Sequence, residues 1–531
     1  MSSSLTTTAA DPEAHLAGKV VRERHTLNVP LNRVEGDLAI RVQIEDGVVV
    51  DAWSCGTMFR GIENILIGRG ALDGLVITPR VCGICSTAHL VAAARALNAI
   101  SRVEPPPDAV RIQNVALAVE MVQSDVRQTM LMYLPDFANP AYESRPFHET
   151  AVHRYAPMKG SSAIESIRWS KRLLEIVAIL GGQWPHSSYM VPGGVVTVPS
   201  AADLLQCRSL LAGFRRWYER QVLGCPLERW HQVRSRADLD SWLEERPAHR
   251  ESDLGFFLQV ARVLGLEQLG RGHANLLCVG GFPLPPDCAV PCPRPGGAEL
   301  MPPGFYRRLE QAPFDQTRVE EHVKHSWYVD YPGGRHPSAG ETRPYASGDE
   351  GGKYSWAKAP RYDGQPAETG PLAELLSMRD PLTLELVAEP GVTAFTRQLA
   401  RLTRPAVLLP VLETWLAEIP PDATCYVPGA RLETGVGIGL TEATRGALGH
   451  WVEIAHGRIV SYQIVTPTAW NGSPRDASDV RGPWEEALVG TPVGNPANPV
   501  ELGHVVRSFD PCLVCTVHAL GKGRGAGPWT L

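Results

Sequence analysis

The chain has 531 residues, of which 44% are hydrophobic and 20% charged, and its formal net charge is −6 at pH 7. This composition supports a large buried core and excludes a chain that is disordered throughout, and the length suggests about three or four domains. The negative charge argues against a nucleic-acid surface as the main function. No apolar run approaches the about 18 residues that a membrane-spanning helix needs.

Residues 1–18 are mostly small or polar, and we predict that they form a flexible N-terminal arm. Residues 1–10 have neither the basic segment, the apolar segment nor the twin arginine of an export signal. The 11 cysteines are odd in number and scattered, which favours a reducing compartment over a disulfide scaffold. We therefore expect a cytoplasmic protein, unless a partner subunit carries an export signal for both chains.

The first half of the chain predicts a hairpin followed by long helices. Residues 27–50 alternate between apolar and polar around a turn at 45–47, as in a β-hairpin. After the prolines at 105–107, apolar residues recur every three or four positions, which predicts a helix with Asp108 as its cap. Residues 160–182 and 203–223 also follow a helical pattern.

The second half combines a long irregular segment with further helix and hairpin patterns. Residues 281–371 are rich in Pro, Gly and Tyr, and we predict an insertion with short strands of its own. Residues 394–416 predict a helix and residues 451–462 a hairpin. The glycines of 435–439 are weak evidence for a nucleotide site, and we interpret them as a turn before Arg445. The expected fold class is mainly α with small β-sheets (α+β), with one large helical body and a β-rich insertion.

Four cysteines form two Cys-x-x-Cys pairs, Cys82 with Cys85 and Cys512 with Cys515. A two-residue spacer lets both sulfurs of a pair reach one metal, and four thiolates suit zinc, an iron–sulfur cluster or nickel. Two such pairs usually indicate structural zinc, but zinc ribbons close much shorter loops. The wide separation of the pairs therefore favours a catalytic site that joins distant parts of the chain.

The residues around these pairs resemble the large, catalytic subunit of nickel–iron hydrogenases. The first pair lies in Arg-x-Cys-Gly-x-Cys-x-x-x-His and the second in Asp-Pro-Cys-x-x-Cys-x-x-His. Further stretches match in order along the chain: Asn32-Arg33-Val34-Glu35-Gly36, Arg60-Gly61-Ile62-Glu63, Val191-Pro192-Gly193-Gly194-Val195, His325-Ser326-Trp327-Tyr328, Lys353-Tyr354-Ser355-Trp356, Lys358-Ala359-Pro360-Arg361-Tyr362, Arg445-Gly446-Ala447-Leu448-Gly449-His450-Trp451 and Pro467-Thr468-Ala469-Trp470-Asn471. The resemblance covers residues 27–518 and implies the large-subunit fold over residues 19–518.

The resemblance implies a nickel–iron centre that oxidises H2 to protons and electrons. By position, Cys82 and Cys512 would be terminal ligands of nickel. Cys85 and Cys515 would bridge nickel to an iron that carries carbon monoxide and cyanide, written Ni-Fe(CN)2(CO). Thiolates stabilise the higher nickel states, and the diatomic ligands keep the iron low-spin.

Four further residues match catalytic positions of the family. Glu35 matches the glutamate that relays the proton, and a carboxyl in an apolar site has a pKa raised toward neutrality. Arg445 matches the guanidinium beside the metals, and Asp510 is expected to fix Arg445 or the nearby backbone. His89 matches a histidine that hydrogen-bonds near a bridging thiolate. From the residues alone, Glu35 would be a solvated carboxylate, Arg445 a surface arginine and Asp510 a helix cap.

A second metal, Mg2+ or Fe2+, is implied near the end of the mature chain. Glu63, the backbone carbonyl of Ile464 and His518 match its protein ligands, and oxygen and imidazole donors suit either ion. Cys288 and Cys292 are a weaker alternative metal site, because their Pro-rich loop offers no further paired ligands.

Three positions depart from the family pattern. Thr444 precedes Arg445 where many members have Pro. The aspartate expected beside the metals falls on Ser124 by ungapped spacing, while Asp125 is the next residue. Ile84 stands where many members have Val, and its larger side chain is expected to narrow the gas path.

The resemblance also implies partners. No iron–sulfur motif remains once the four cysteines are assigned, so electrons are expected to pass to a small subunit that carries iron–sulfur clusters. Maturation would need nickel-insertion proteins and an endopeptidase that removes residues 519–531 after His518. We expect no contact with nucleic acid and no transmembrane segment, and any membrane association would be peripheral, through partners.

Three functions stay open at this point. The C-terminal tail favours a turnover enzyme of the cytoplasmic uptake branch. A regulatory H2 sensor with the same metals is the main alternative. A relative that has lost hydrogenase chemistry and serves a respiratory complex conflicts with the presence of all four cysteines.

Overall fold

The structure, a computed structural model, describes residues 24–34, 36 and 38–512. It begins with an antiparallel meander of strands β1 (Arg24–Leu31), β2 (Leu38–Glu45) and β3 (Val48–Gly56). Asp46 and Gly47 form the turn between β2 and β3 with φ angles of 52° and 78°, as in a type I′ hairpin turn. The predicted hairpin is confirmed with one additional strand, while the predicted arm, residues 1–18, lies outside the described residues.

Helices form most of the described body. In chain order they are α1 (Ile62–Leu66), α2 (Asp73–Ile77), α3 (Ser86–Ser101), α4 (Pro107–Arg127), α5 (His148–Tyr155), α6 (Ser161–Gly181), α7 (Ala201–Trp217), α8 (Leu227–Trp230), α9 (Arg236–Glu245), α10 (Pro247–Glu251), α11 (Asp253–Leu264), α12 (Pro371–Ser377), α13 (Pro381–Ala388), α14 (Ala394–Glu418), α15 (Pro467–Asn471), α16 (Pro483–Leu488) and α17 (Val500–Ser508). The predicted helices at 160–182, 203–223 and 394–416 correspond to α6, to α7 with the π-helix Tyr218–Leu223, and to α14.

Helix α4 runs through the centre of the body, and nearly every residue from 111 to 126 is buried on all sides. It packs against α6 and α14 within the largest hydrophobic cluster. The helix begins at Pro107, whose missing N–H and fixed φ suit the first helical position. Asp108 is therefore not the cap that the sequence suggests, and its carboxylate instead binds Arg111 and the Thr424 N–H.

The remaining described strands form five small antiparallel sheets. They are β4 (Met190–Val191), β5 (Gly194–Val195), β6 (Asn275–Cys278), β7 (Gly281–Pro283), β8 (Glu299–Met301), β9 (Gly304–Arg307), β10 (Glu310–Ala312), β11 (Val319–His322), β12 (Ala359–Tyr362), β13 (Gly435–Ala443), β14 (Gly446–Ala455) and β15 (Arg458–Val465). Helices with small sheets at their edges confirm the predicted α+β class.

The segment 281–371 contains the short strands that its composition predicts, β7 to β12. It is tied to the body on several sides. Strand β9 pairs with β6, which precedes the segment. The Tyr354 hydroxyl donates to Glu485 at 2.8 Å, and Arg361 Nε donates to Asp476 at 2.7 Å.

The glycines of 435–439 lie in strand β13, so the predicted turn at this place is wrong. Strand β13 lies directly on helix α3, where a Cβ atom at Gly437 would be 2.0 Å from the Ala96 carbonyl oxygen. The glycines therefore allow close contact between strand and helix, and they are not turn residues. The turn lies at Thr444 and Arg445, between β13 and β14, and the hairpin predicted at 451–462 corresponds to β14 and β15.

Within the described residues, no helix combines the length and the apolar character needed to cross a membrane.

Candidate metal centre

Cys82 and Cys85 lie in the short loop between the 3-10 helix Thr78–Arg80 and helix α3. Both side chains are buried, with 2% and 3% of their surface exposed. Arg60 donates a hydrogen bond to the main-chain carbonyl of Val81, directly before Cys82. Since the loop leads straight into α3, the packing of α3 against β13 sets the position of Cys85.

Cys512 reaches the same place from the far end of the chain. Its N–H donates to Thr468 Oγ1 at 3.1 Å, and its side chain has no exposed surface. Its sulfur lies 3.4 Å from the sulfur of Cys82, although the two residues are 430 positions apart. This distance is too long for a disulfide bond of about 2.05 Å. It suits two thiolates that share one metal at about 2.3 Å each.

Arg445 lies in the turn between β13 and β14 with its side chain buried. Its Nε donates to the Asp510 carbonyl oxygen at 2.9 Å, and its Nη2 donates to Asp510 Oδ1 at 3.1 Å. Burial alone lowers the pKa of Arg445, but Asp510 and then the sulfurs of Cys512, Cys82 and Cys85 raise this pKa well above its ordinary value. A permanent positive charge therefore lies next to the sulfurs, where it can hold anionic ligands.

Arg445 and Asp510 belong to a larger buried network. Arg401 Nη1 lies 3.5 Å from Asp510 Oδ2 and 3.4 Å from Asp125 Oδ1. Arg404 Nη2 donates to Asp125 Oδ1 at 2.7 Å and to the Thr444 carbonyl at 2.9 Å. We call the five side chains of this network the canopy cluster: Asp125, Arg401, Arg404, Arg445 and Asp510.

The canopy cluster answers one open question and adds two residues. The carboxylate that α4 contributes to this cluster belongs to Asp125, which accepts from Arg404. Ser124, the position that ungapped spacing gave, has a buried hydroxyl with no hydrogen-bond partner among the described residues. Arg401 and Arg404 are residues that sequence reasoning missed. The sequence feature that could have revealed them is the spacing of arginines by four and three residues, starting at Arg397, in the mainly apolar helix α14.

His89 lies one turn into α3 and is fully buried. Its Nδ1 is 3.1 Å from His450 Nε2, and His450 Nδ1 is 2.9 Å from the Tyr462 hydroxyl. Burial lowers the pKa of His89 to about 4, so its ring is neutral at physiological pH. The structure thus places His89 in a row of hydrogen-bonded rings beside the cysteine loop.

The donor set fits a soft or borderline metal. Cys82, Cys85 and Cys512 are buried thiols close to a fixed cation, which favours their thiolate forms. The fourth cysteine of the motifs, Cys515, lies outside the described residues, as do Glu35 and His518. Of the alternative pair Cys288 and Cys292, the Cys292 thiol donates to the Glu299 carbonyl at 3.3 Å.

Comparison with known proteins decides the family. A family model described as nickel-dependent hydrogenase matches residues 60–134 and 257–518, more than half of the chain. The chain belongs to the nickel-dependent hydrogenase family. It is accordingly an oxidoreductase that acts on H2.

Individual relatives agree with this assignment over most of their length. The chain is 32% identical to the periplasmic [NiFeSe] hydrogenase large subunit of Desulfomicrobium baculatum, over 93% of this chain and 95% of the relative. It is 28% identical to the uptake hydrogenase large subunit of Rhizobium leguminosarum bv. viciae, over 92% and 94%. The structure matches the reduced Ni-Fe-Se hydrogenase of D. vulgaris Hildenborough with a TM-score of 0.78 at 29% identity, covering 94% of this chain and all of the other.

The hydrogenase chain also carries a buried glutamate that the motifs did not reveal. Glu120 Oε2 accepts from the Thr87 N–H at 2.9 Å and from Trp184 Nε1 at 3.0 Å, and its Oε1 accepts from the Ala88 N–H at 3.1 Å. Burial raises the pKa of Glu120 to about 7. The side chain therefore satisfies the first N–H groups of α3, directly after Cys85.

Ile84, between the two cysteines of the first pair, lies on the wall of an apolar cavity of about 460 Å3. Leu131, Leu174 and Trp184 form other parts of the wall. An apolar wall at this position is compatible with a path for a small apolar molecule. That the Ile84 side chain narrows such a gas path stays a prediction.

The residues predicted for the second metal of the hydrogenase lie together where the structure describes them. Glu63 is buried, and its Oε1 accepts from the Ile464 N–H at 2.9 Å. Its Oε2 accepts from the Thr342 hydroxyl and lies 3.6 Å from Lys358 Nζ. Glu63 is thus held beside Ile464, and the third predicted ligand, His518, is among the residues not described.

Proposed function

We propose that the chain is the catalytic large subunit of an H2-oxidising uptake hydrogenase, with a Ni-Fe(CN)2(CO) centre held by Cys82, Cys85, Cys512 and Cys515. The observation that carries this proposal is the buried contact between the Cys82 and Cys512 sulfurs beside Arg445. The match to the nickel-dependent hydrogenase family over more than half of the chain favours nickel over a structural zinc ion at these thiolates.

The chemistry of the bound centre is the heterolytic cleavage of H2. Arg445 would hold the anionic ligands of the iron by its charge, and Asp510 keeps the guanidinium in place by two hydrogen bonds. His89 stays neutral and shares one hydrogen bond with His450, which in turn hydrogen-bonds to the Tyr462 hydroxyl. Glu35 is proposed to accept the proton that leaves the site, as its motif implies.

A second metal, Mg2+ or Fe2+, is proposed at Glu63, the Ile464 carbonyl and His518. Glu63 supplies a buried carboxylate and Ile464 a main-chain carbonyl at one place in the fold. Oxygen and imidazole donors with water suit either ion.

Electrons are proposed to leave through an iron–sulfur small subunit. The sequence has no Cys-x-x-Cys pair besides the two assigned to the nickel–iron centre. The names of the relatives describe large subunits or large chains, which supports a heterodimer.

Maturation is proposed to include nickel insertion and removal of residues 519–531 by an endopeptidase. The family model matches the chain up to residue 518 and not beyond, in agreement with a mature end at His518. Intact-mass measurement of the purified heterodimer tests this: a chain that retains residues 519–531 in a nickel-loaded, active enzyme contradicts it.

The uptake branch and a cytoplasmic location are proposed together. The name of the R. leguminosarum relative, an uptake hydrogenase large subunit, supports the branch. Cell fractionation tests the location, and recovery in a periplasmic fraction, the compartment in the name of the D. baculatum relative, overturns it.

The infrared spectrum of the heterodimer, co-produced with its small subunit and maturation proteins, tests the metal centre. Bands in the carbon monoxide and cyanide stretching region that shift under H2 are expected, together with bound nickel and H2 uptake. The same bands with negligible H2 uptake would instead indicate the regulatory sensor.

Two serine variants sharpen this test. Cys512→Ser should remove nickel and the bands. Cys207→Ser, at an equally buried cysteine in α7, should keep both. A spectrum without bands in well-matured protein, with zinc bound, would mean that the cysteines are structural and the proposal is wrong.

A further inference from the structure

Two glutamate side chains lie buried side by side behind the canopy cluster. Glu374 is on helix α12 and Glu442 is on strand β13, and neither has any exposed surface. Burying two carboxylates together is costly unless each is paired or one of them is neutral.

Each carboxyl group has one satisfied oxygen. Glu374 Oε2 forms an ion pair with Arg404 Nη1. Glu442 Oε1 accepts from the Val279 N–H at 2.7 Å. Among the described residues, no N–H or O–H group donates to the other two oxygens, Glu374 Oε1 and Glu442 Oε2, and the weak thiol donor of Cys278 lies beside Glu442.

The two side chains are within hydrogen-bonding reach of each other. Two acceptor oxygens repel each other, but a single proton between them satisfies both. One carboxylic acid that donates to one carboxylate therefore completes the hydrogen bonding of the pair.

The neighbours decide which glutamate holds the proton. Burial raises the pKa of Glu374 and the Asp125 carboxylate adds to the rise, but the ion pair with Arg404 opposes both and favours the ionised form. Glu442 faces Glu374 and the Cys278 thiol, with no cation in contact. Burial and then the Glu374 carboxylate raise the pKa of Glu442 well above its usual range.

Glu374 is connected to the metal site through Arg404. The Arg404 guanidinium spans Glu374 on one side and Asp125, at 2.7 and 2.8 Å, on the other. It also donates to the carbonyl of Thr444 at 2.9 Å, and Arg445 Nη1 donates to the Thr444 hydroxyl at 3.2 Å. The position of Arg404 therefore bears on the turn that carries Arg445.

We propose that Glu442 carries a proton at neutral pH and donates it to Glu374, and that Glu374 is a positioning residue for H2 oxidation. It keeps Arg404 against Asp125 and the Thr444 carbonyl, and so holds the Arg445 turn beside the metals. This inference rests on the proposed function, in which Arg445 lies next to a nickel–iron centre.

The proposal distinguishes two glutamine variants of the heterodimer. In Glu442→Gln, the amide is a neutral substitute for the acid: its oxygen accepts from Val279 and its NH2 group donates to Glu374. In Glu374→Gln, Arg404 loses its carboxylate. Asp253→Asn is the control, because Asp253 is an equally buried carboxylate. Its oxygens accept from Tyr155, Ser162 and Gln221, and none of these residues belongs to the canopy cluster.

Infrared spectroscopy measures both parts of the proposal. Buried Glu120 and Glu485 also contribute carboxylic acid absorption, because burial raises the pKa of each to about 7. The difference spectrum of parent minus Glu442→Gln should therefore show one carboxylic acid carbonyl band, which the same difference for Asp253→Asn does not reproduce. The carbon monoxide and cyanide bands should keep the parent positions in Glu442→Gln and Asp253→Asn, and should shift in Glu374→Gln.

Three results overturn the proposal. The first is a difference spectrum of parent minus Glu442→Gln that shows no carboxylic acid band. The other two are carbon monoxide and cyanide bands that shift equally in both glutamine variants, and bands that shift in neither. A parent protein without carbon monoxide and cyanide bands would refute the nickel–iron centre instead. Its carboxylic acid absorption would still test the glutamate pair.

Discussion

Glu120 holds the first turn of helix α3 through the N–H of Thr87, two residues beyond Cys85, at 2.9 Å. The carboxylate comes from the largely buried helix α4, and also accepts from Ala88 and Trp184. The start of α3 is thus fixed by a side chain from the centre of the fold, and Cys85 is fixed with it. In this hydrogenase the rigidity of one cysteine pair depends on a residue outside the cysteine motif.

Glu120→Ala should destabilise the protein, because it leaves the Thr87 and Ala88 N–H groups buried without an acceptor. The expected loss is about 1–3 kcal/mol of unfolding free energy, with lower nickel content after maturation. Urea unfolding and metal analysis measure the two effects. Glu175→Ala, at an exposed position of α6, is the control and should change neither. Unchanged stability and nickel content in Glu120→Ala would refute the role.

Glu485 predicts a pH dependence of stability. Its buried carboxyl accepts from the Ser54 N–H and the Tyr354 hydroxyl, both at 2.8 Å, and burial raises its pKa to about 7. A raised pKa means that the folded state binds the proton more tightly than the unfolded state, whose pKa is near 4.5. The stabilisation is complete below pH 4.5 and is lost as the pH rises through 7.

The stability of the parent relative to Glu485→Gln should therefore fall by on the order of 3 kcal/mol between these pH values. Denaturant unfolding of both proteins across this range measures the difference. A difference that is flat, or that grows with pH, would show that Glu485 is ionised throughout.

Local sequence patterns predicted much of the fold. The β2–β3 turn follows from Asp46 and Gly47, which tolerate positive φ, and α4 follows from the three- and four-residue spacing of its apolar side chains. These features depend only on neighbours in the sequence. The cysteine pairs likewise carry their chemistry in their own spacing, while the contact of Cys82 with Cys512 depends on the whole fold between them.

Other features could not be predicted from local patterns. The glycines of 435–439 serve contact with α3, a partner more than 300 positions away in the sequence. The choice of Asp125 over Ser124 depends on Arg401 and Arg404 of α14, because only their position shows which side of α4 faces the canopy cluster. Tertiary contacts decided both cases.

Gly439→Ala should displace α3 from β13. A Cβ atom at Gly439 would lie 1.8 Å from the Ala92 carbonyl oxygen, which is backbone and cannot move alone. We expect a loss of about 1–3 kcal/mol or more in unfolding free energy, and reduced nickel binding because α3 carries Cys85. Gly70→Ala is the matched control, since its nearest neighbour would be the Asp73 side chain at 3.7 Å. Equal stability of the two variants would refute this account of the glycines.

Asp510→Asn separates the role of the canopy cluster in catalysis from its role in stability. The substitution removes the carboxylate that pairs with Arg445 and Arg401, so buried positive charge is left without a partner. We expect a loss of about 3–5 kcal/mol in stability. We also expect turnover per bound nickel to fall by about 10²-fold, because Arg445 no longer keeps its place beside the sulfurs.

Asp476→Asn is the control for this last variant. It breaks the similarly buried pair of Asp476 with Arg361 Nε, 2.7 Å apart, and neither residue belongs to the canopy cluster. It should cost similar stability while turnover per bound nickel stays at the parent value. Hydrogen uptake normalised to nickel content, measured beside thermal unfolding, distinguishes the two variants. If both lose stability and turnover in the same proportion, the canopy cluster supports the fold and has no separate part in the reaction.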